Sequence, residues 1–231
     1  MDNEGNEGAM GEESRQSWAI PIILLVGFLV LVVAVGVLCL VEYRSLPDNV
    51  GRVLTAEEQA DVIAENSLLT DYVFLSPNAD FPREEPITRI TVHHMAGDLS
   101  LEELGNRFAN RDRRASSHYA IDSAGNVALY VEEKNRAWTS SNRDNDERAV
   151  TIEVANDQVG GDWHVSDAAF DRLVELLVDI CKRNGITEFT YTGDDNGTLT
   201  THNMFNDQTI CPGPYLSGRL GELANEVNSR L

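Results

Sequence analysis

The sequence predicts an α/β fold, a mixed central β-sheet flanked by helices, preceded by a single N-terminal transmembrane helix. Three observations lead there. From Leu69 to Leu231, short runs with apolar residues at every second position alternate with longer runs whose apolar residues recur every three or four positions, the pattern of strands and helices layered around one sheet. Residues 19–41, AIPIILLVGFLVLVVAVGVLCLV, carry no charged side chain. The whole chain has 231 residues at 42% apolar composition, enough for one good-sized core and too little for a large second one.

Charge excludes one class of partner. There are 18 Lys and Arg against 38 Asp and Glu, a net charge of -20, and no long basic run that would neutralise a phosphate backbone. Nucleic acid is therefore not an expected partner. An acidic surface also repels anionic lipids and polymers at low salt, so binding to such a surface must rest on specific contacts.

Residues 1–18 are acidic, contain glycine and hold few apolar residues, so they are expected to form a disordered tail. The 19–41 run follows. At ~1.5 Å per residue it reaches roughly 35 Å, against about 30 Å of bilayer hydrocarbon. It exceeds a signal-peptide core, lacks a basic start, and leads into VEYRSLPD rather than a small-residue cleavage site, so it is read as an uncleaved single-pass anchor in the cell membrane. Cys39 belongs to the span, because the bulky Leu38 before it does not suit lipoprotein processing. Nearby cations, Arg15 before the span against Arg44 and Arg52 after it, lean slightly toward a cytoplasmic C-terminal side.

Residues 42–68 read as a linker with a short helix, whose capping box is Thr55 with Glu58 and whose staple is Leu54. SPNADFPREEP is a loop. ITRITVHH, Ile87 to His94, is a strand ending on two histidines, and Ser100 then caps a helix with Leu101, Leu104 and Phe108 on one face. SHYAIDSAGNVALYVEE is a hairpin turning at Gly125, and RAVTIEVAND is a buried strand with a single acid, Glu153. SDAAFDRLVELLVDICKRNGI is an amphipathic helix stopped by Gly185. EFTYT reads as a short strand, and PYLSGRLGELANEVNSRL as the closing helix.

Five histidines are available: His93, His94, His118, His164 and His202. A catalytic zinc site needs three N, S or O ligands and one open position. His93, with His94 on the other face of the strand as the alternative, could join His202 and Cys211 in such a set, although His202 and Cys211, nine residues apart, read more readily by themselves as a polar loop holding a small buried thiol. Cys181 falls on the apolar face of its helix, so no pair remains for a disulfide. Trp138 lies in a polar loop before the Glu153 strand, where it either stacks on a ligand or packs against the rim.

TVHHMAG, SSHYAIDSAGNV, RAVTIEVAND and THNMFNDQTICPGPYL, in this order and spacing, resemble the zinc-dependent N-acetylmuramoyl-L-alanine amidases, the type shared by phage amidases and peptidoglycan recognition proteins. The likeness covers Ser76 to Leu231. It implies hydrolysis of the amide between muramic acid and the L-alanine of the peptidoglycan stem, with Zn2+ held by His93, His202 and Cys211. It also places the general base at Glu153, and it requires an extracytoplasmic domain, against the slight lean of the flanking charges. His94, His118, Trp138 and Thr209 are substrate-side candidates. Two departures stand out: Ser117 replaces a tyrosine that some members carry before the hairpin histidine, and Thr209 replaces a lysine that many carry two residues before the cysteine ligand. The rival reading is a membrane-anchored peptidoglycan-binding module without turnover; retention of Cys211 argues for the enzyme.

Overall fold

The computed structural model describes the backbone of residues 19–42 and 46–231, and side chains from 22–35 and 46–231. The expected acidic tail and the side chains of Arg15, Cys39 and Arg44 lie outside the described residues. Two compact units divide at Ser45. Within the first, Ala19–Glu42 is one helix of 24 residues (α1), with the apolar side chains of Ile22–Val35 exposed. Over those described side chains no helix is long and apolar enough to cross a membrane.

The second unit, Leu46–Leu231, holds the sheet. Its strands are β1 (Tyr72–Val73), β3 (Arg89–His94), β4 (Tyr119–Ile121), β5 (Val127–Leu129), β7 (Ala149–Val154) and β8 (Leu199–Thr201), in the order β1-β5-β4-β7-β3-β8. Only β4 and β5 run antiparallel, joined at Gly125 with φ +86°; the other pairings are parallel, so the sheet is mixed as expected. A separate two-stranded ribbon joins β2 (Ala79–Asp80) to β6 (Arg136–Ala137). Between β6 and β7, the Asn142 side chain caps a short helix, α4 (Arg143–Arg148), by accepting the Asn145 backbone N–H at 3.0 Å.

Alternation along the strands decides what each face meets. Ile90, Val92, Tyr119, Ile121, Ile152 and Val154 share the main core with α5 (Asp167–Asn184) and α6 (Gly213–Asn228). The other face carries Thr91, His93, Thr151, Glu153 and Thr200, with Ala120 and Ala128 covered by α3 (Leu101–Ala109). One face of the sheet is thus apolar except at the carboxyl ends of β3 and β8, where His94 and Thr201 lie, while the other turns polar across β7, β3 and β8.

Thr55 caps α2 (Ala56–Glu65) with the expected box, and Leu54 and Val62 are buried in the main core, so the segment read as linker contributes to the domain's packing. Some elements differ from expectation: the segment SPNADFPREEP, read as a loop, holds β2, and the polar loop around Trp138 holds β6 and α4. EFTYT, residues 188–192, is not a strand; the edge strand is β8, ten residues further on. The Asn228 side chain takes both backbone groups of Phe189, at 2.8 and 2.7 Å, and Thr190 N–H donates to Thr198 Oγ1 at 2.7 Å. With those groups engaged, the segment has no ladder to offer.

Candidate metal centre and active site

The site lies at the carboxyl ends of β7, β3 and β8, where open α/β sheets accommodate ligands. Paired residues in parallel strands project from the same face, and His93 pairs directly with Glu153. Thr201 pairs with Val92, which brings the next residue, His202, beside His93; the two rings stand 4.9 Å apart between centroids. Cys211 arrives from the loop between the 3-10 turn His202–Met204 and α6. Asn203 N–H donates to Cys211 O at 3.0 Å, and Cys211 N–H donates to Thr209 Oγ1 at 3.1 Å. The thiol Sγ sits 3.5 Å from His93 Nδ1 and accepts the His94 backbone N–H at 3.4 Å. One ligand atom from each of His93, His202 and Cys211 falls within 4.8 Å of the others.

The electrostatics of this cluster suit a cation. Burial, then the neighbouring His202 and His94, hold His93 well below the usual imidazole value, and burial lowers His202 as well, so both rings are neutral bases. Burial and then Glu153 push the Cys211 thiol well up, a cost that a bound cation reverses by stabilising the thiolate. His93 Nε2, His202 Nε2 and Glu153 Oε2 are buried with no hydrogen-bond partner. Unpaired buried polar atoms are costly, and one ligand atom from each of His93, His202 and Cys211 within 4.8 Å of the others is an arrangement that a cation would relieve. Two imidazoles and a thiol are the donor set that zinc prefers, so the residues fit that ion.

Glu153 is half-buried as a residue, but its Oε2 is fully covered. Burial raises its carboxyl to about 8, with Arg113 opposing the shift. A carboxyl poised near neutrality can take a proton and return it within one cycle. It opens onto a cleft of about 230 Å3 whose wall includes Glu153, His202, Cys211, Thr209, Trp138 and Arg107.

The remaining expected residues divide. Thr209 and Trp138 line this cleft, with the Trp138 indole N–H donating to Asp80 Oδ1 at 3.1 Å, so its ring is held at the rim. His94 borders the cleft, but its ring lies on the opposite face of β3 from His93, edge-on to Trp163 and against Gly213. His118 is fully buried, two residues before Ala120, the register partner of Glu153, and level with Thr151. Thr151 N–H donates to its Nδ1 at 3.0 Å, and its Nε2 lies 2.8 Å from the Arg83 guanidinium and 3.1 Å from Asn135 O. The ring of His118 is on the polar face with Thr151, enclosed by Thr151 and Asn135, and it does not line the cleft. His164 pairs with Asp157 at 2.6 Å, away from the cluster.

Sequence reasoning passed over Arg107 and Arg113, both in the cleft wall. The signal was present in NRFANRDRRAS, which has four arginines in eight residues of a strongly acidic chain.

A family model described as N-acetylmuramoyl-L-alanine amidase matches residues 83–214. The chain belongs to that family. The match contains every residue of the cluster, from His93 to Cys211. Several solved structures share the fold. PlyL is 20% identical with a TM-score of 0.55, over 69% of this chain and 98% of its own. AmpD is 20% identical with a TM-score of 0.51, over 78% and 99%. The hydrolase AmiA of Staphylococcus aureus, solved with its ligand, is 17% identical with a TM-score of 0.52, over 80% and 95%. At these identities the likeness concerns the fold. Among curated proteins, no sequence matches this chain.

Proposed function

We propose that this family member is a membrane-anchored zinc amidase that hydrolyses the amide between the muramic acid lactyl group and L-alanine in peptidoglycan. One observation carries the reading: His93, His202 and Cys211 converge within 4.8 Å beside a Glu153 carboxyl raised to about 8, inside the segment that matches the amidase family. Zinc, when bound by those three residues, supplies Lewis acidity to the scissile carbonyl and acidifies water. Glu153 takes a proton from the attacking water, the oxygen joins the carbonyl carbon, and the C–N bond breaks as Glu153 passes that proton to the departing alanine nitrogen. The His94 backbone N–H orients the Cys211 thiolate, and the buried sheet face keeps both imidazoles neutral and therefore able to ligate. Trp138 and Thr209 wall the substrate's path.

The anchor is the second part of the proposal. Its support is the 24-residue helix α1, charge-free over residues 19–41 and about 36 Å long at 1.5 Å per residue. An extracytoplasmic catalytic unit places the cleft on the side of its substrate and raises the local wall concentration. Detergent-dependent extraction from membranes, with protease access to the catalytic unit only from outside the cell, is the expected behaviour. Release by high salt alone would refute the anchor.

The chemical reading is tested on zinc-loaded protein given purified peptidoglycan. New N-terminal alanine should appear, about one zinc per chain should be found, and Cys211→Ala should lose both. Folded, zinc-loaded protein that binds the wall without releasing alanine termini would establish the binding module instead.

A further inference from the structure

Every described arginine and lysine side chain makes a hydrogen bond or an ion pair, except four: Arg107, Arg111, Arg113 and Arg114. All four are exposed. They occupy the end of α3 and the 3-10 turn Arg111–Arg113 that follows it, and Asp112 is the only acid among them. Arg107 and Arg113 open into the catalytic cleft, and Arg114 opens into the adjoining depression on the far side of Trp138. Arg113 acts at a distance on Glu153 and Arg107 on Glu103, but neither closes an ion pair, so in a chain of net charge -20 these guanidiniums at one mouth keep their hydrogen-bonding forks free for an external anion.

We propose that this basic lip selects stem peptides with free carboxylates over stems whose carboxylates are amidated, an inference that rests on the amidase reading. The anion must continue covalently from the scissile group, because Arg107 and Arg113 share one cleft with Glu153 and Cys211. Glycan hydroxyls are neutral and give four cations nothing to pair with. Peptide carboxylates match the guanidinium fork in charge and geometry. The separation of Arg107 and Arg113 from Arg114 by Trp138 suits a peptide carrying more than one carboxylate, spread along its length.

The test uses the full chain, zinc-loaded in a non-ionic detergent, and two muropeptides that differ only in whether their peptide carboxylates are free or amidated. Wild type should show a kcat/KM ratio of about ten in favour of the free acid, carried mainly by KM and falling as salt rises, as expected for partly exposed charge pairs. R107Q/R113Q should bring the ratio close to one. R148Q/R230Q, which removes the same charge elsewhere on the surface, should keep it near ten. Cleavage of both muropeptides by wild type at equal kcat/KM would overturn the basic lip while leaving the amidase reading intact. If neither is cleaved, the amidase reading fails and equilibrium binding decides the lip: tighter binding of the free acid that is lost in R107Q/R113Q supports it, and equal binding overturns it.

Discussion

Replacing Glu153 by Gln in a metal-free fragment spanning Leu46–Leu231, the compact unit that holds the whole sheet, gives a direct test of the buried carboxyl. Its folded value of about 8 lies above the ordinary 4.5, so the native state holds a proton that the unfolded chain releases. Stability from this group is therefore fully present below pH 4.5 and is lost as pH rises through 8, at about 1.4 kcal/mol per pH unit between the two. The full difference of 3.5 units corresponds to an upper limit of ~5 kcal/mol, and roughly half is expected because the cleft admits water to one side of the residue. The substituted amide has no charge to gain, so urea unfolding at pH 5 and pH 8.5 should show the Glu153→Gln variant gaining about 2–3 kcal/mol on wild type across that interval. Parallel stability profiles for the two proteins would refute the claim that Glu153 is held protonated by burial.

Gly213 has φ +85°, and a Cβ there would stand 3.0 Å from His94 Nδ1 and 3.2 Å from Trp163 Cβ. Gly213→Ala should cost about 1–3 kcal/mol in thermal or urea unfolding and weaken zinc retention, since the next residue but one is Cys211. Leu177 is fully buried beneath the sheet, and Leu177→Ala should cost about 2–5 kcal/mol in urea while leaving the zinc stoichiometry of the folded fraction unchanged. Asn228→Ala strands both backbone groups of buried Phe189 and should destabilise by about 1–3 kcal/mol, with faster amide exchange at Phe189 as the local signature.

The strands and helices that build the core were legible because their periodicity is a direct consequence of burial. The α5 stripe of Phe170, Leu173, Val174, Leu177 and Ile180 and the Ile90/Val92 alternation appear in the structure where the pattern put them. EFTYT misled because its β-rich composition says nothing about whether its backbone groups are free, and a side chain 39 residues away had claimed them. The setting of His118 was hidden for a related reason. Motif position gives the strand, while the direction of the ring is set by its pairing with Thr151.

What sequence could not contain was the register. The ligands came from two separated motifs and Glu153 from a third, and nothing in any one of them says that His93 and Glu153 are paired neighbours. That pairing has a chemical consequence. A carboxylate and a buried imidazole side by side on a covered sheet face would ordinarily attract a proton to the imidazole, which would destroy it as a ligand. Here burial lowers His93 and raises Glu153 together, so in the metal-free protein the proton rests on the carboxyl and the imidazole stays free to bind metal, while a cation bound beside Glu153 would favour the carboxylate that takes a proton from water. The same dry face thus prepares a metal ligand and a proton carrier in adjacent strands, and the polar alternation of Thr91, His93, Thr151 and Glu153 is the local sequence that makes such a face possible.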